Sequence, residues 1–405
     1  MINQNFTLIW LGKITSQLGD KFYAIALAWW ILQKTNSPTM MGTFLLVSVL
    51  PGLLFGFVAG ALTDRRSRKT MLIVTDIIRG CLVLAIAVLS MMGVIEVWHV
   101  FLIGFCLSLV TAFFDPAMQA IIPEIVETDK LARANGLSQM VGGVCSMAGP
   151  MLGAIAVSTL GLTWVFLANS ISYWIAAILA CFIKIDTPYR EVEQKGNLWN
   201  EMKEGIAFIR NQKQIILVLK IVASAHLFMG GLTVLLPFLA NGLSGNGVSN
   251  LGYLELMLGA GLFIGSILLT LRGGASVRER AMLSWIMAAG FCFVVISAAQ
   301  FSNIGVVYAY MPILMMIGAC IAGASVIWQS LLQRYTPQQM TGRVFSVSTL
   351  IGNTSLPIAY GMFGILLDIS SIPILMAASG VCLLALCLYL SIRRRENSEG
   401  VQSQI

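Results

Sequence analysis

The chain has 405 residues, of which 58% are hydrophobic and only 11% charged, and its mean hydropathy is +0.85. A soluble domain carries roughly 25% charged residues, so this composition excludes a soluble globular protein and points to an all-α polytopic membrane protein. The formal charge of +7 does not mark a nucleic-acid binder, because the basic residues concentrate in alternate loops between apolar segments.

About twelve apolar segments follow one another, each about 20 residues long and sufficient to cross a hydrocarbon core. They lie near 7–33, 38–62, 71–92, 97–119, 134–157, 161–184, 214–240, 250–271, 281–301, 303–333, 342–367 and 371–392. The first is too long for a cleavable signal, and no small-residue cleavage site follows it. It carries Lys13, Asp20 and Lys21. A carboxylate at bilayer depth costs roughly 2.5–3.5 kcal/mol on insertion scales. Asp20 is therefore expected to face a bundle interior or an aqueous cavity. Gln17, Asp20, Ala24 and Leu27 share one helical face. Lys21 is about 100° round the helix and cannot form a standard i,i+4 pair with Asp20. Asp20 is then either a proton- or substrate-coupling site or half of a structural pair between helices.

Between spans 2 and 3 lies a charged loop, Gly60-Ala61-Leu62-Thr63-Asp64-Arg65-Arg66-Ser67-Arg68-Lys69. In span 3, Asp76 and Arg79 are three apart and are expected to form a local ion pair near the cytoplasmic end. Asp115 closes span 4 in Asp115-Pro116-Ala117 and is expected to bind the Arg68 or Lys69 region. In span 5, Gly149-Pro150-Met151-Leu152-Gly153-Ala154 combines a helix kink with the close backbone approach that glycine allows. The longest polar stretch, about 184–214, separates spans 6 and 7. Within it Leu198, Met202, Ile206 and Ile209 recur at helical spacing, as in an amphipathic helix on the cytoplasmic surface. Glu255 lies near the outer end of span 8. It is either an interfacial residue or an inward-facing second proton site.

This pattern divides the chain into a six-helix bundle (1–184), a linker with an amphipathic helix (185–213), a second six-helix bundle (214–393) and a tail (394–405). Lys and Arg follow the even-numbered spans, which places both termini in the cytoplasm. Arg393, Arg394 and Arg395 anchor that topology. Eight cysteines form no CxxC, and His99 and His226 are isolated, so no disulfide framework, metal site or cofactor is expected. The halves repeat at an offset of 210 residues: Gln119 to Arg133 matches Gln329 to Arg343, each running through a Pro-containing loop to an Arg that opens the next span. Parallel six-span halves around a central site are a transporter design.

The loop from Gly60 to Lys69 resembles the GxLaDrxGrkx signature of the major facilitator superfamily, with Ser67 in place of the usual Gly. The resemblance implies a cytoplasmic gate built from Gly60, Asp64, Arg65, Arg68, Lys69 and Asp115. Gly149, Pro150 and Gly153 resemble the end of the motif found in the superfamily's exporters. The whole chain is similar to the macrolide-efflux branch of the drug:proton antiporters. The carrying segments are Gln17-Leu18-Gly19-Asp20, Asp115-Pro116-Ala117, Glu201-Met202-Lys203-Glu204-Gly205-Ile206 and Gly342-Arg343-Val344-Phe345-Ser346. One departure stands out: many proton-coupled relatives carry an Arg inside span 4, and here that span has no Arg or Lys.

The expectation is a monomeric secondary transporter in a bacterial inner membrane, exporting amphipathic, macrolide-like molecules in exchange for protons, in contact with membrane lipids. Asp20 and Glu255 are the coupling candidates. Phe22, Trp30, Phe113, Met229, Met257 and Trp328, with Gln17, are candidates to line the cavity, since rings and thioethers suit varied apolar ligands; helix packing uses the same residues. Siderophore export and lysophospholipid movement are alternatives, and a non-transporting sensor or scaffold is the alternative of another class. Neither a phosphate-binding loop nor a nucleophile–base constellation is present, so neither ATP coupling nor an enzyme is expected.

Overall fold

A computed structural model describes residues 2–63, 67–184, 198–272, 279–337 and 340–402. Among them the chain forms α1 (Gln4–Thr35), α2 (Pro38–Thr63), α3 (Arg68–Met91), α4 (Val97–Ile125), α5 (Leu131–Leu160), α6 (Leu162–Cys181), α7 (Leu198–Arg210), α8 (Lys213–Gly242), α9 (Gly247–Arg272), α10 (Glu279–Phe301), α11 (Val307–Tyr335), α12 (Thr341–Ile369) and α13 (Ile372–Gln402). Each expected span has its helix, and α7 is the linker helix. Among the described residues, eleven helices are long and apolar enough to cross a membrane. The first helix is not among them, because Gln17, Asp20 and Lys21 in its middle lower its hydropathy. Its ends are set locally: the Asn3 side chain accepts from Phe6 N at 2.7 Å, and Asn36 stops the helix in the left-handed conformation at φ 46°, which Asn tolerates better than most residues.

The chain separates into two compact units. One comprises residues 1–195 and 246–256, the other 196–245 and 257–405. The linker helix thus groups with the second unit, and the first part of α9 with the first. In the first unit α1 packs on α5 and α6, α3 on α4 and α6, and α2 on α4. Phe6, Leu72, Phe114 and Ile121 share its buried core. In the second unit α10 packs on α11 and α13, and α8 on α12. Gly261 and Gly265 of α9 lie against the backbone of Met315 and Ala319, and Gly318 of α11 against the carbonyl of Leu258, with no room for a Cβ at any of the three. Small residues at such spacing are how membrane helices gain contact where no hydrophobic force drives them together.

The repeat seen in sequence is visible in backbone angles. Val126 and Thr336, 210 residues apart, end α4 and α11 at φ −123°, ψ 133° and φ −112°, ψ 124°. Lys130 and Met340 open α5 and α12 at φ −99°, ψ −5° and φ −102°, ψ −5°. Arg133 and Arg343 are therefore the third residues of corresponding helices.

Arg343 also explains a second sequence segment. Its guanidinium pairs with Glu204 of α7. The Gly205 α-carbon faces the Arg343 backbone so closely that a Cβ would come within 3.0 Å of its carbonyl oxygen. Glu201–Ile206 and Gly342–Ser346, both singled out in sequence, meet at this joint. The expected apolar face of α7 needs one correction: Ile209 is buried but Ile206 is 48% exposed, because Gly205 takes the position against α12. The ion pair is partly exposed, so it is expected to contribute at most about 1 kcal/mol. Arg343→Met should raise amide exchange in α7 by up to about five-fold. Exchange at the wild-type rate would show that apolar contact alone holds the helix.

Candidate functional site: a buried charge cluster in the first bundle

Gly12 and Gly19 bring α1 onto α6. A Cβ on Gly19 would collide with Asn169 Oδ1 and Ser172 Oγ, and one on Gly12 would touch the Ala176 backbone at 3.4 Å. This close approach puts Asp20 beside Tyr173, whose hydroxyl donates to Asp20 Oδ1. Among the described residues no cation lies within ion-pair distance of Asp20. Arg79 of α3 and Lys21 act on it from further away.

Arg79 pairs with Asp76 one turn below it on α3, as expected from sequence, with side chains 3% and 4% exposed. The pair reaches far into the bundle. The Arg79 guanidinium lies 3.7 Å over the Phe114 ring of α4 and 4.6 Å from the Tyr173 ring of α6, a cation–π arrangement strengthened by burial. Its Nε has no acceptor among the described residues. Asp20, Tyr173, Arg79 and Asp76 therefore form one cluster from α1, α3 and α6. It contains two carboxylates and one guanidinium, and Lys21, Asp115 and Lys13 are its charged neighbours. Buried charge that is not balanced is costly. Beside Asp76, Lys13, Ser16 and Phe114 bound a gap of about 10 Å³, about the room needed for one water.

The other expected site residues are distributed as follows. Arg68 pairs with Glu124, and Lys69 Nζ donates to the carbonyls of Cys181 and Ile183 at 2.8 Å each. The expected partner Asp115 is not used, because it lies nine residues up α4 from Glu124, roughly 13 Å along the axis. Arg79, Asp20 and Lys13 are its electrostatic neighbours instead. Asp64 and Arg65 lie outside the described residues, and Gly60 is described only as part of α2. Lys21, one residue from Asp20, is the cation that acts on Glu255 of α9, so both coupling candidates share it. Trp30 is only 8% exposed and belongs to the core of α1 rather than to a cavity wall. Gln17, Phe22, Phe113 and Met257 are half-buried, and Gln17 Oε1 has no partner among the described residues.

The α5 glycines receive α1 at the same level. A Cβ on Gly149 would sit 2.6 Å from Lys21 Cβ, and one on Gly153 would sit 2.9 Å from Phe22 Cα. A lysine stem can swing aside, whereas a backbone cannot. Gly153→Val is therefore expected to destabilise the protein by about 1–3 kcal/mol, the usual cost of overpacking, and Gly149→Ala by less. Equilibrium denaturation in detergent tests the order, and equal effects would remove this contact as the reason for Gly153.

The family described as Transmembrane secretion effector, MFS_3, matches residues 1–404. The chain belongs to that family. It is a major facilitator superfamily membrane transporter, with a small-molecule substrate, and its relatives and fold are those of transporters rather than enzymes. It is 24% identical to Macrolide efflux protein A of Streptococcus pyogenes over 355 residues, 87% of each chain. It is 22% identical to the multidrug efflux pump Tap of Mycolicibacterium fortuitum over 379 residues, 89% of this chain and 88% of that one. A bacterial homologue of the iron transporter ferroportin, in an inward-facing state, shares the fold at TM-score 0.75 and 15% identity, covering 96% of this chain and 99% of the other.

Sequence reading missed two parts of this transporter's polar interior. Tyr173 was not singled out, although Asn169, Ser170, Ser172 and Tyr173 form a polar run inside span 6, which is itself a signal at membrane depth. His226 was set aside because it is isolated in sequence. It lines a cavity of about 90 Å³ in the second unit together with Met229 and Trp328, two of the residues expected from sequence.

Proposed function

We propose that this transporter exports amphipathic small molecules from the cytoplasm in exchange for protons, by alternating access, with Asp20 as the coupling carboxylate. The observation that carries the reading is the setting of Asp20: a half-buried carboxylate inside the first bundle that accepts from the Tyr173 hydroxyl and, among the described residues, has no cation within ion-pair distance. Arg79 reaches this cluster from α3 and supplies the cation that span 4 lacks. A proton arriving from outside neutralises Asp20; its release to the cytoplasm restores the charge. Each state favours a different arrangement of α1 against α3 and α6. Similarity to Macrolide efflux protein A and to Tap supports an apolar, drug-like cargo. The protein is assigned to the cytoplasmic membrane of a bacterium, as a monomer among lipids with both termini in the cytoplasm, where Asp64, Arg65, Arg68 and Lys69 gate the cytoplasmic side.

The test is flux through purified protein in proteoliposomes under an imposed pH gradient, across a panel of macrolides and other amphipaths. Gradient-dependent movement of at least one of them is expected. Flux that ignores the pH gradient for every cargo would remove protons from the mechanism. Glu255, which shares Lys21 with Asp20, is read as a second proton station. Glu255→Gln should flatten the pH dependence of cargo affinity measured over about pH 5–9. Superimposable curves would leave Asp20 as the sole coupling acid.

A further inference from the structure

The second unit contains a cavity whose chemistry is unlike that of the charge cluster. It lies between α8, α10 and α11, has a volume of about 90 Å³, and is open on one side. Ala225, Ala289 and Ala324 make the space by their small size, and Met229 and Met282 form flexible walls. Trp285 closes the packing next to it, its ring resting on Gly323 where a Cβ would have no room. Membrane bundles are packed as tightly as other protein interiors, and a void of this size is a liability unless something fills it.

Two polar groups mark the wall. The Trp328 indole N–H is buried and has no acceptor among the described residues. An unmet buried donor is costly, which makes it a position for a ligand acceptor. The His226 ring stands edge-on to Trp328, with centroids 6.0 Å apart. Its Nδ1 lies 2.9 Å from the Val222 carbonyl of its own helix. Donation there fixes the orientation of the ring. No Lys, Arg, Asp or Glu lines the cavity, so a charged group placed there would lose its water without gaining a counterion. A cavity that takes benzene whole measures roughly 150 Å³; this one holds the end of a molecule, with the remainder outside its open side.

We propose that this cavity is a binding subsite for a neutral apolar group carrying one hydrogen-bond acceptor, a small cyclic or branched ketone, ester or lactone end, with Trp328 Nε1–H as its donor. The subsite does not rest on proton coupling, since it is read by equilibrium binding without a gradient.

The test uses acetophenone, a photoreactive aryl ketone, with the full-length protein in lipid nanodiscs. Irradiation should give saturable adducts on Met229 or Met282, mapped by mass spectrometry. Cyclopentanone should compete, and methylcyclopentane, which has no acceptor, should compete about 3–10-fold less well, the range for one hydrogen bond. Trp328→Phe should erase that difference while adducts persist, and Ala324→Leu should abolish the adducts by filling the space. Equal competition by the two compounds in the wild-type protein would mean that Trp328 binds no ligand acceptor and would overturn the proposal. So would adducts that do not saturate, or that survive in Ala324→Leu. Because Trp328→Phe keeps an aromatic ring in the wall and removes the donor, its result stands even if the filled variant folds poorly.

Discussion

Asp20→Asn is expected to reduce gradient-driven flux to the level of protein-free liposomes, with normal insertion and stability. Asn is close to isosteric with Asp, and its side-chain oxygen can still accept from the Tyr173 hydroxyl that reaches Asp20. What it cannot do is change charge. The cluster would then hold one carboxylate, Asp76, and one guanidinium, Arg79, already paired with each other. Position 20 would carry no charge at any pH, so it could neither take up nor release a proton. Stability should stay at or above the wild-type level, because a half-buried carboxylate with no ion-pair partner among the described residues has been removed. The measurement is pH-jump-driven transport at matched protein density, beside denaturation of the same preparation. Normal flux in a well-folded Asn variant would reduce Asp20 to a structural partner of Tyr173, the other role its position allows.

The helices were legible in the sequence because the bilayer imposes one requirement on every span: about 20 apolar residues with all backbone groups satisfied internally. The repeat was legible for a similar reason. Gln119–Arg133 and Gln329–Arg343 have equal spacing, and the helix-ending and helix-opening residues within them adopt matching backbone angles. What could not be read was the set of partners. Sequence spacing reports neighbours on one helix, so it found Asp76 with Arg79. It could not report that Gly19 lets α1 sink onto α6 until Asp20 meets Tyr173. Nor could it rank Glu124 above Asp115 as the acid for Arg68, because that depends on the height at which α3 begins beside α4. Ile206 and Gly205 make the same point: an apolar stripe predicted a buried Ile, and the tighter joint at Arg343 selected the residue without a side chain.

Arg79 provides the second large effect. Arg79→Met should destabilise the transporter by about 3–5 kcal/mol, because it strands the carboxylate of Asp76 in a buried site where the pair is 3–4% exposed. The rings of Phe114 and Tyr173, which now hold the guanidinium between them, would face a thioether that fits the volume but carries no charge. The loss should be largely reversed in Asp76→Asn/Arg79→Met, where both members of the pair are neutral and close to their original size. A double-mutant cycle by equilibrium denaturation measures the difference directly. If the double variant is as unstable as Arg79→Met alone, Asp76 is not the partner that matters, and the dependence of Arg79 on Asp20 becomes the dominant one. Transport separates the two roles further. The stable double variant still has Asp20 and Tyr173 but no guanidinium beside them. It should fold, bind cargo and fail to convert a pH gradient into flux, because the guanidinium that reaches the cluster from α3 is gone.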